Sequence, residues 1–135
     1  MTSLGFAFEK HPSAIFGSIY RPVAKVNFWS YKFNQWLEII LIVDTGADYT
    51  LLPKFYSVDL GIDLKKDCTA YITHGVGGAE KVYMLKNAKV KLGKWETKIP
   101  LGFLDHDNIP PLLGRQRFLE VLKVSFHRHI TCFQI

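Results

Sequence analysis

The strongest constraint in this sequence is an apolar run that ends in a carboxylate. Residues 39–43 (IILIV) lead directly into residues 44–48 (DTGAD), which carry two acids around a glycine. Burying an ionised carboxylate is costly unless it is paired or its pKa moves. The chain therefore either satisfies Asp44 with local donors or uses it chemically. A turn aspartate that accepts hydrogen bonds from nearby amides is the simpler interpretation.

The triplet Asp44-Thr45-Gly46 is suited to holding a carboxylate at the end of a strand. Gly46 permits tight turns that a Cβ forbids, and the Thr45 hydroxyl can tie the turn to a neighbour. Two such carboxylates brought together across a symmetry axis cannot both ionise, so they share a proton. One then acts as a base toward water and the other as an acid toward a carbonyl oxygen. This chemistry needs no metal and no cofactor.

Composition indicates one folded domain. The chain has 135 residues, of which 48% are hydrophobic and 21% charged, which argues against disorder. No apolar run approaches the roughly 20 residues of a membrane span, and the first residues do not resemble a signal peptide. Only Cys68 and Cys132 are available for disulfides. We therefore expect a cytoplasmic protein without a membrane partner.

The net charge of +5 raises the question of nucleic-acid binding. The lysines are scattered, however, and in residues 88–98 (AKVKLGKWETK) they alternate with apolar residues. This alternation is typical of a solvated sheet face on which lysines protect the edges. We expect no nucleic-acid partner.

Short alternating runs predict a mostly β chain. A Gly93-Lys94 turn joins the last two predicted strands into a hairpin. The sequence also predicts a short helical turn within 53–61 and a helix within 115–124 (RQRFLEVLKV), after Gly114. The predicted strands are residues 25–28, 36–43, 89–92 and 95–99.

Four segments together resemble the retropepsin-like aspartic proteases, single-domain homodimeric relatives of the two-lobed pepsins. Asp44-Thr45-Gly46-Ala47 after an apolar strand resembles their active-site motif. Residues 72–78 (ITHGVGG) resemble the glycine-rich flap that closes over the substrate. Residues 111–115 (PLLGR) resemble the apolar-apolar-Gly motif, whose strand passes behind the catalytic loop. Residues 130–135 (ITCFQI), an apolar tail, resemble the strand that interleaves with the partner's in the dimer.

The resemblance covers residues 21–135 and implies a fold, a domain division and partners. The fold is mainly all-β, a closed antiparallel β barrel-like acid-protease fold with one short C-terminal helix. Residues 1–20 form an N-terminal extension that either belongs to this domain or precedes it. The long segment 55–70 favours the cellular, often prokaryotic, members over the viral ones. The implied partners are a second copy of the chain and an extended peptide or protein substrate.

The resemblance also implies roles for individual residues. Arg115 would pair with Asp48 in the bidentate geometry that arginine favours. The catalytic residues would be Asp44, Thr45 and Gly46; the substrate-binding residues Ala47, Asp48, Gly75, Val76, Gly77 and Gly78; and the structural support Leu113, Gly114 and Arg115.

Three alternatives stand beside this hypothesis. The first is a catalytically silent dimerisation or peptide-binding module on the same fold. The second is a phosphotransferase with Asp44 as nucleophile, but such sites carry a second acid two residues on, where this chain has Gly46. The third is a zinc site at His127, His129 and Cys132, for which no second ligand cluster is present at suitable spacing.

Overall fold

The structure, a computed structural model, describes residues 2–75 and 77–135. This part of the chain forms twelve strands, one α-helix and one 3₁₀-helix. In chain order these are β1 (Ser3–Ala7), β2 (Glu9–Ser13), β3 (Gly17–Arg21), β4 (Val23–Ser30), β5 (Gln35–Val43), β6 (Thr50–Pro53), α1 (Tyr56–Leu60), β7 (Thr69–Gly75), β8 (Gly78–Leu92), β9 (Trp95–Leu104), β10 (Leu112–Leu113), the 3₁₀-helix (Leu119–Val121), β11 (Lys123–His127) and β12 (Ile130–Gln134).

The main sheet has seven strands in the order β4-β5-β10-β6-β9-β8-β7, and β8 also pairs with β4. That extra pairing joins six of the strands into a closed circuit of hydrogen-bonded neighbours. Most pairings are antiparallel, but β10 runs parallel to β5 and β6 runs parallel to β9. The all-β class predicted from the sequence is confirmed, and the two parallel pairings are an addition to it.

The core lies inside this circuit because the inward residues of its strands are apolar. Along β4 and β5 the alternation is regular, with every second residue facing the core. Each fully buried aliphatic or aromatic side chain stabilises the fold by roughly 1.5–3 kcal/mol relative to an exposed one. The largest fully buried side chains of the circuit are Phe28, Leu41, Leu52, Leu92, Ile99, Leu101, Phe103 and Leu113.

All four predicted strands are present, and each is longer than its apolar alternation indicated. Residues 25–28 lie in β4, 36–43 in β5, 89–92 in β8 and 95–99 in β9. Leu92 is paired with Trp95, so the predicted Gly93-Lys94 turn forms the hairpin, with Gly93 at φ 58°. That left-handed conformation suits a two-residue hairpin turn.

Helix is scarce, as expected for this class. The turn predicted within 53–61 is α1, which ends at Gly61 in the left-handed conformation (φ 68°). The helix predicted within 115–124 is reduced to the three residues of the 3₁₀-helix. Arg117 has a φ of 57°, outside the helical region, and Leu122 is already extended. None of the helices in the described residues is long and apolar enough to cross a membrane.

A second sheet has three strands in the order β1-β12-β11. The ITCFQI segment forms its central strand, with Phe133 paired to Leu4 on one side and to Val124 on the other. Both edges of β12 are therefore occupied within one chain. This differs from the expectation that ITCFQI itself interleaves with a partner's strand, because the N-terminal segment, which sequence reasoning did not assign, occupies one of its edges.

Candidate active site

Asp44 is placed by backbone hydrogen bonds at the end of β5. The Val43 amide donates to the Pro22 carbonyl at 2.9 Å, and the Asp44 amide donates to the Leu113 carbonyl at 3.0 Å. These bonds continue the strand to its last residue, on both of its edges. The direction in which the chain enters the 44–48 turn is therefore fixed by two distant segments.

The Asp44 carboxylate is half-buried and contacts its own turn. The Gly46 amide donates to Asp44 Oδ1 at 3.0 Å, and the Ala47 amide donates to the Asp44 carbonyl at 3.1 Å. These are the bonds of a turn aspartate, so the simpler interpretation of Asp44 describes its local geometry correctly. They also orient a carboxylate that is still accessible at the end of a buried strand. Thr45 and Gly46 are exposed beside it.

Strand β10 holds the two ends of this turn together. Leu112 and Leu113 pair in parallel with Ile42 and Val43, and Leu112 also pairs with Leu51 of β6. The two-residue strand thus lies between the strand that enters the turn and the strand that leaves it. Leu113 is fully buried there, which explains why this position requires an apolar side chain.

Gly114 follows β10 at a point where two backbone segments touch. A Cβ at this position would overlap the carbonyl group of Tyr49. The Gly114 amide donates to the Thr50 hydroxyl oxygen at 3.1 Å, and Thr50 is fully buried. Only glycine allows this approach, so Gly114 is a packing requirement of the 44–48 turn.

Arg115 fastens the outer side of the turn. Its Nη2 donates to Asp48 Oδ1 at 2.6 Å, and its Nη1 donates to the Thr45 carbonyl at 2.8 Å. The predicted pair with Asp48 is present, but the predicted bidentate geometry is wrong, because the second nitrogen bonds to Thr45 instead. The Asp48 side chain is 74% exposed and that of Arg115 is 42% exposed. Solvent screening leaves such a pair little net stability, about 1 kcal/mol at most, so its main effect is on geometry.

Sequence reasoning missed three contributors to this turn. Pro22 supplies the acceptor for Val43, Thr50 supplies the hydroxyl for Gly114, and Tyr49 packs beside them. Partial burial, and then the charge of Asp48, raise the pKa of the Tyr49 phenol. The one signal available in the sequence was the Thr50 hydroxyl. It stands directly before the apolar residues Leu51 and Leu52, and a buried hydroxyl needs a hydrogen-bond partner.

Residues 72–75 lie in β7 and Gly78 begins β8, and the two strands pair as a β-hairpin, in register from Thr69 and Met84 to Gly75 and Gly78. Gly78 has a φ of 105°, which only glycine adopts readily. Val76, one of the expected substrate-binding residues, lies outside the described residues. Tyr71 and Ile72 carry exposed apolar side chains on this hairpin.

The predicted site residues fall into two groups. Asp44, Thr45, Gly46, Ala47 and Asp48 are joined by hydrogen bonds to Leu113 or Arg115, or to one another. Gly114 bonds instead to Thr50, shortly after the turn. Gly75, Gly77 and Gly78 belong to the β7–β8 hairpin instead. The hairpin is connected to the 44–48 turn through β9, which pairs with β8 on one side and with β6, the strand that leaves the turn, on the other.

Metal-binding side chains do not gather in the part of the chain that the structure describes, where no group of three or more could hold an ion. His127 ends β11, Cys132 lies within β12, and His129 occupies the turn between them with a φ of 60°. The His129 ring stacks on Tyr20 at 4.2 Å between ring centroids. The His129 ring is thus engaged in an aromatic contact.

Comparison with known proteins identifies a family and a structural relative. The family model described as aspartyl protease matches residues 29–116, a span that contains both Asp44 and Arg115. The crystal structure of a retropepsin-like aspartic protease from Rickettsia conorii matches with a TM-score of 0.61 and 23% sequence identity, covering 98% of this chain and 98% of that one. At this identity the second match shows the fold. Among curated proteins, no sequence match was found.

Proposed function

The chain belongs to the aspartyl protease family and has a retropepsin-like fold, and on this basis we propose that it hydrolyses peptide bonds as a symmetric homodimer. The observation that carries the proposal is the position of Asp44, an accessible carboxylate oriented at the end of a buried strand. The sequence contains no second Asp-Thr-Gly or Asp-Ser-Gly triplet. A second carboxylate therefore has to come from a second copy.

In the proposed dimer the two Asp44 carboxylates meet at the twofold axis and share one proton. The ionised member takes a proton from a water molecule, which attacks the scissile carbonyl carbon. The protonated member donates to the carbonyl oxygen, so the charge that develops there is neutralised. The carboxyl group that took the water proton then gives it to the amide nitrogen as the C–N bond breaks, while the other carboxylate takes back a hydroxyl proton from the tetrahedral intermediate. The pair is thereby restored to its singly protonated form, and no covalent intermediate forms.

The exposed Thr45 is the side chain that we assign to contact between the two turns. Its carbonyl oxygen is already held by Arg115, so its backbone is anchored while the residue remains exposed. A hydrogen bond between the Thr45 hydroxyl and the partner's turn would fix the separation of the two carboxylates. Productive geometry tolerates errors of only about 1 Å, because misplacement of that size costs on the order of a hundredfold in rate.

The substrate that fits this arrangement is an extended peptide. Strand-like backbone hydrogen bonds would hold it between the turns and the β7–β8 hairpins, which we propose act as flaps. Ala47, Asp48, Gly75, Val76, Gly77 and Gly78 are the proposed contacts. We assign the protease domain to residues 21–135, with residues 1–20 attached to it, and place the protein in the cytoplasm.

The decisive experiment compares Asp44→Asn with Asp67→Asn, an exposed acid outside the turn. Asparagine keeps the size of the side chain and can still accept from the Gly46 amide, so the turn stays intact. Hydrolysis of an unfolded protein should fall to background in Asp44→Asn and stay at the wild-type level in Asp67→Asn. Wild-type rates in Asp44→Asn would refute the mechanism.

The second candidate is a peptide-binding module without catalysis. It is favoured by the Gly46 bond to Asp44, which an aspartate with a purely structural role would also make. The wild-type protein separates the two candidates. A binding module retains an unfolded peptide intact, whereas a protease releases fragments and is inhibited by a statine-type transition-state mimic.

A further inference from the structure

Residues 9–21, here called the N-terminal arm, form a hairpin of β2 and β3. Within the described residues these two strands pair only with each other. A two-stranded hairpin on its own is at best marginally stable in water. The arm is nevertheless regular along its length, with five residue pairs from Glu9 and Arg21 to Ser13 and Gly17.

The tip of the arm presents two apolar side chains to solvent. Ile15 is 83% exposed and Phe16 is 75% exposed, the highest values among the large hydrophobic residues that the structure describes. The Ser13 hydroxyl oxygen accepts hydrogen bonds from the Ile15 amide at 3.3 Å and the Phe16 amide at 3.1 Å. These bonds shape the backbone of the tip, so that the two side chains extend from a formed turn. Exposed apolar side chains on a formed turn are suited to act as interface anchors, because less backbone entropy is lost on binding.

The root of the arm, where residue 21 leads into Pro22, lies beside Asp44. Pro22, the residue after the arm, accepts the hydrogen bond from the Val43 amide, directly before Asp44. On its other side the root is fixed to the three-stranded sheet, where the Tyr20 ring stacks on His129. The arm is thus a projecting element with a firm base at the point where the proposed twofold axis passes.

The length of the arm sets what it can reach. Five residue pairs extend about 17 Å, whereas a domain of this size has a radius of gyration of about 14 Å. Any copy that brings its Asp44 to this one comes within that distance of the root. We propose that the arm packs across the dimer axis and that Ile15 and Phe16 are buried on the second copy. This inference rests on the proposed homodimer and adds to it the element that clamps the two copies together.

The strand before the arm, β1, also supports a second copy of the chain as the partner of the arm. The outer edge of β1 is unpaired in the described sheet, and residues 3–7 (SLGFA) contain no charge and no proline. Charged residues and prolines on an open strand edge normally prevent that edge from pairing with other chains. The N-terminal segment therefore carries two uncovered features, the edge of β1 and the arm tip, both of which suit contact with another chain.

The test replaces both tip residues, Ile15→Ser with Phe16→Ser. Both side chains are exposed, so the variant should keep the fold and the unfolding midpoint of the monomer. The matched control is Tyr31→Ser with Phe33→Ser, an exposed aromatic pair (60% and 48%) in the turn at the opposite end of β5 from Asp44. Sedimentation equilibrium and peptide hydrolysis are measured across a range of protein concentrations.

We expect the tip variant to raise the dimer Kd by about tenfold or more. Its activity per chain should fall at low protein concentration and recover to the wild-type kcat at high concentration. The control variant should match the wild type in both measurements. Recovery at high concentration separates a clamp from a catalytic element, because loss of a catalytic element lowers kcat at every concentration.

Three results would overturn the inference. If the wild type is an active dimer and the tip variant dimerises within twofold of it, the arm is not a clamp, while the proposed function stands. If the tip variant dimerises normally but no longer adsorbs to phosphatidylcholine vesicles that retain the wild type, the tip contacts lipid instead. A wild-type chain that stays monomeric and inactive at every concentration overturns both this inference and the proposed function.

Discussion

The Asp44 amide donates a hydrogen bond to the Leu113 carbonyl at 3.0 Å, which places the proposed catalytic carboxylate under the control of a segment far away in the chain. The next two residues of that segment continue the connection, since Gly114 packs on Tyr49 and Arg115 bonds to Thr45 and Asp48. Residues 113–115 thus hold the turn from its entry to its exit. The precision of the site depends on this connection as much as on the DTG triplet itself.

Replacing Arg115 with lysine should reduce activity more than stability. A single ammonium cannot reproduce the two directed bonds to Thr45 and Asp48, so the turn loosens and we expect kcat/KM to fall about tenfold. The free energy of unfolding should fall by about 1 kcal/mol or less, because the pair is exposed. Arg117→Lys, which changes an exposed arginine outside the turn, is the control. Equal kcat/KM in both variants would contradict this role for Arg115.

Gly114→Ala should destabilise the fold by about 2–3 kcal/mol, because the added methyl overlaps the backbone of Tyr49 and neither segment can move freely. Chemical denaturation measures this change directly. Gly77→Ala is the matched control, since no neighbouring atom lies within 4 Å of a Cβ built at Gly77. A Gly114→Ala variant as stable as Gly77→Ala would contradict the close approach of Gly114 to the Tyr49 backbone.

Peptide hydrolysis should follow a bell-shaped pH profile. A pair of carboxylates that shares one proton is active only in the singly protonated form, so the rate falls as the second proton binds at low pH and as the shared proton leaves at higher pH. We expect the maximum on the acid side of neutrality. A rate that stays constant from acid to alkaline pH would exclude the shared-proton mechanism. The measurement is kcat/KM across the range in buffers of constant ionic strength.

Cys68 should be a slow thiol. Partial burial, then the charges of Asp67 and Asp63, raise its pKa to about 11, so below that pH the thiol is mostly protonated and its thiolate fraction grows with each pH unit. Alkylation by iodoacetamide at pH 8 should be about ten- to one-hundredfold slower than for an ordinary exposed cysteine. The rate is measured in Cys132→Ser, so that Cys68 is the one thiol left. Adding Asp67→Asn should accelerate it, and an unchanged rate would show that this charge is unimportant.

Much of the fold was predictable because the strand faces depend on local alternation. The strands around residues 25–28, 89–92 and 95–99 follow from the period of two, and the strand at 36–43 follows from its apolar, β-branched run. Alternation does not indicate, however, which other strands a given strand pairs with. Nothing local indicates that the two-residue strand at Leu112 and Leu113 enters between β5 and β6, and the family resemblance implied only a strand that passes behind the catalytic loop.

Two misjudgements have identifiable physical causes. Phe118, Leu119 and Leu122 have helical spacing, but the fold needs Phe118 and Leu119 buried and Leu122 extended toward β11, so packing overrides the local preference. Residues 3–7 also alternate, with Leu4 and Phe6 packed on the core and smaller residues outside. No strand was predicted there, and nothing local in the sequence identifies β12 as its partner.

The backbone groups of Thr2 and Ile135 exchange two hydrogen bonds, at 3.2 and 2.8 Å, which brings the first and last described residues side by side. A linker of a few residues could therefore join them into a circular permutant, and the exposed arm tip is a suitable place to open new ends. Such a permutant would keep every strand pairing of the fold while cutting the arm in two. It would show whether the arm must be a continuous hairpin or needs only its two strands side by side.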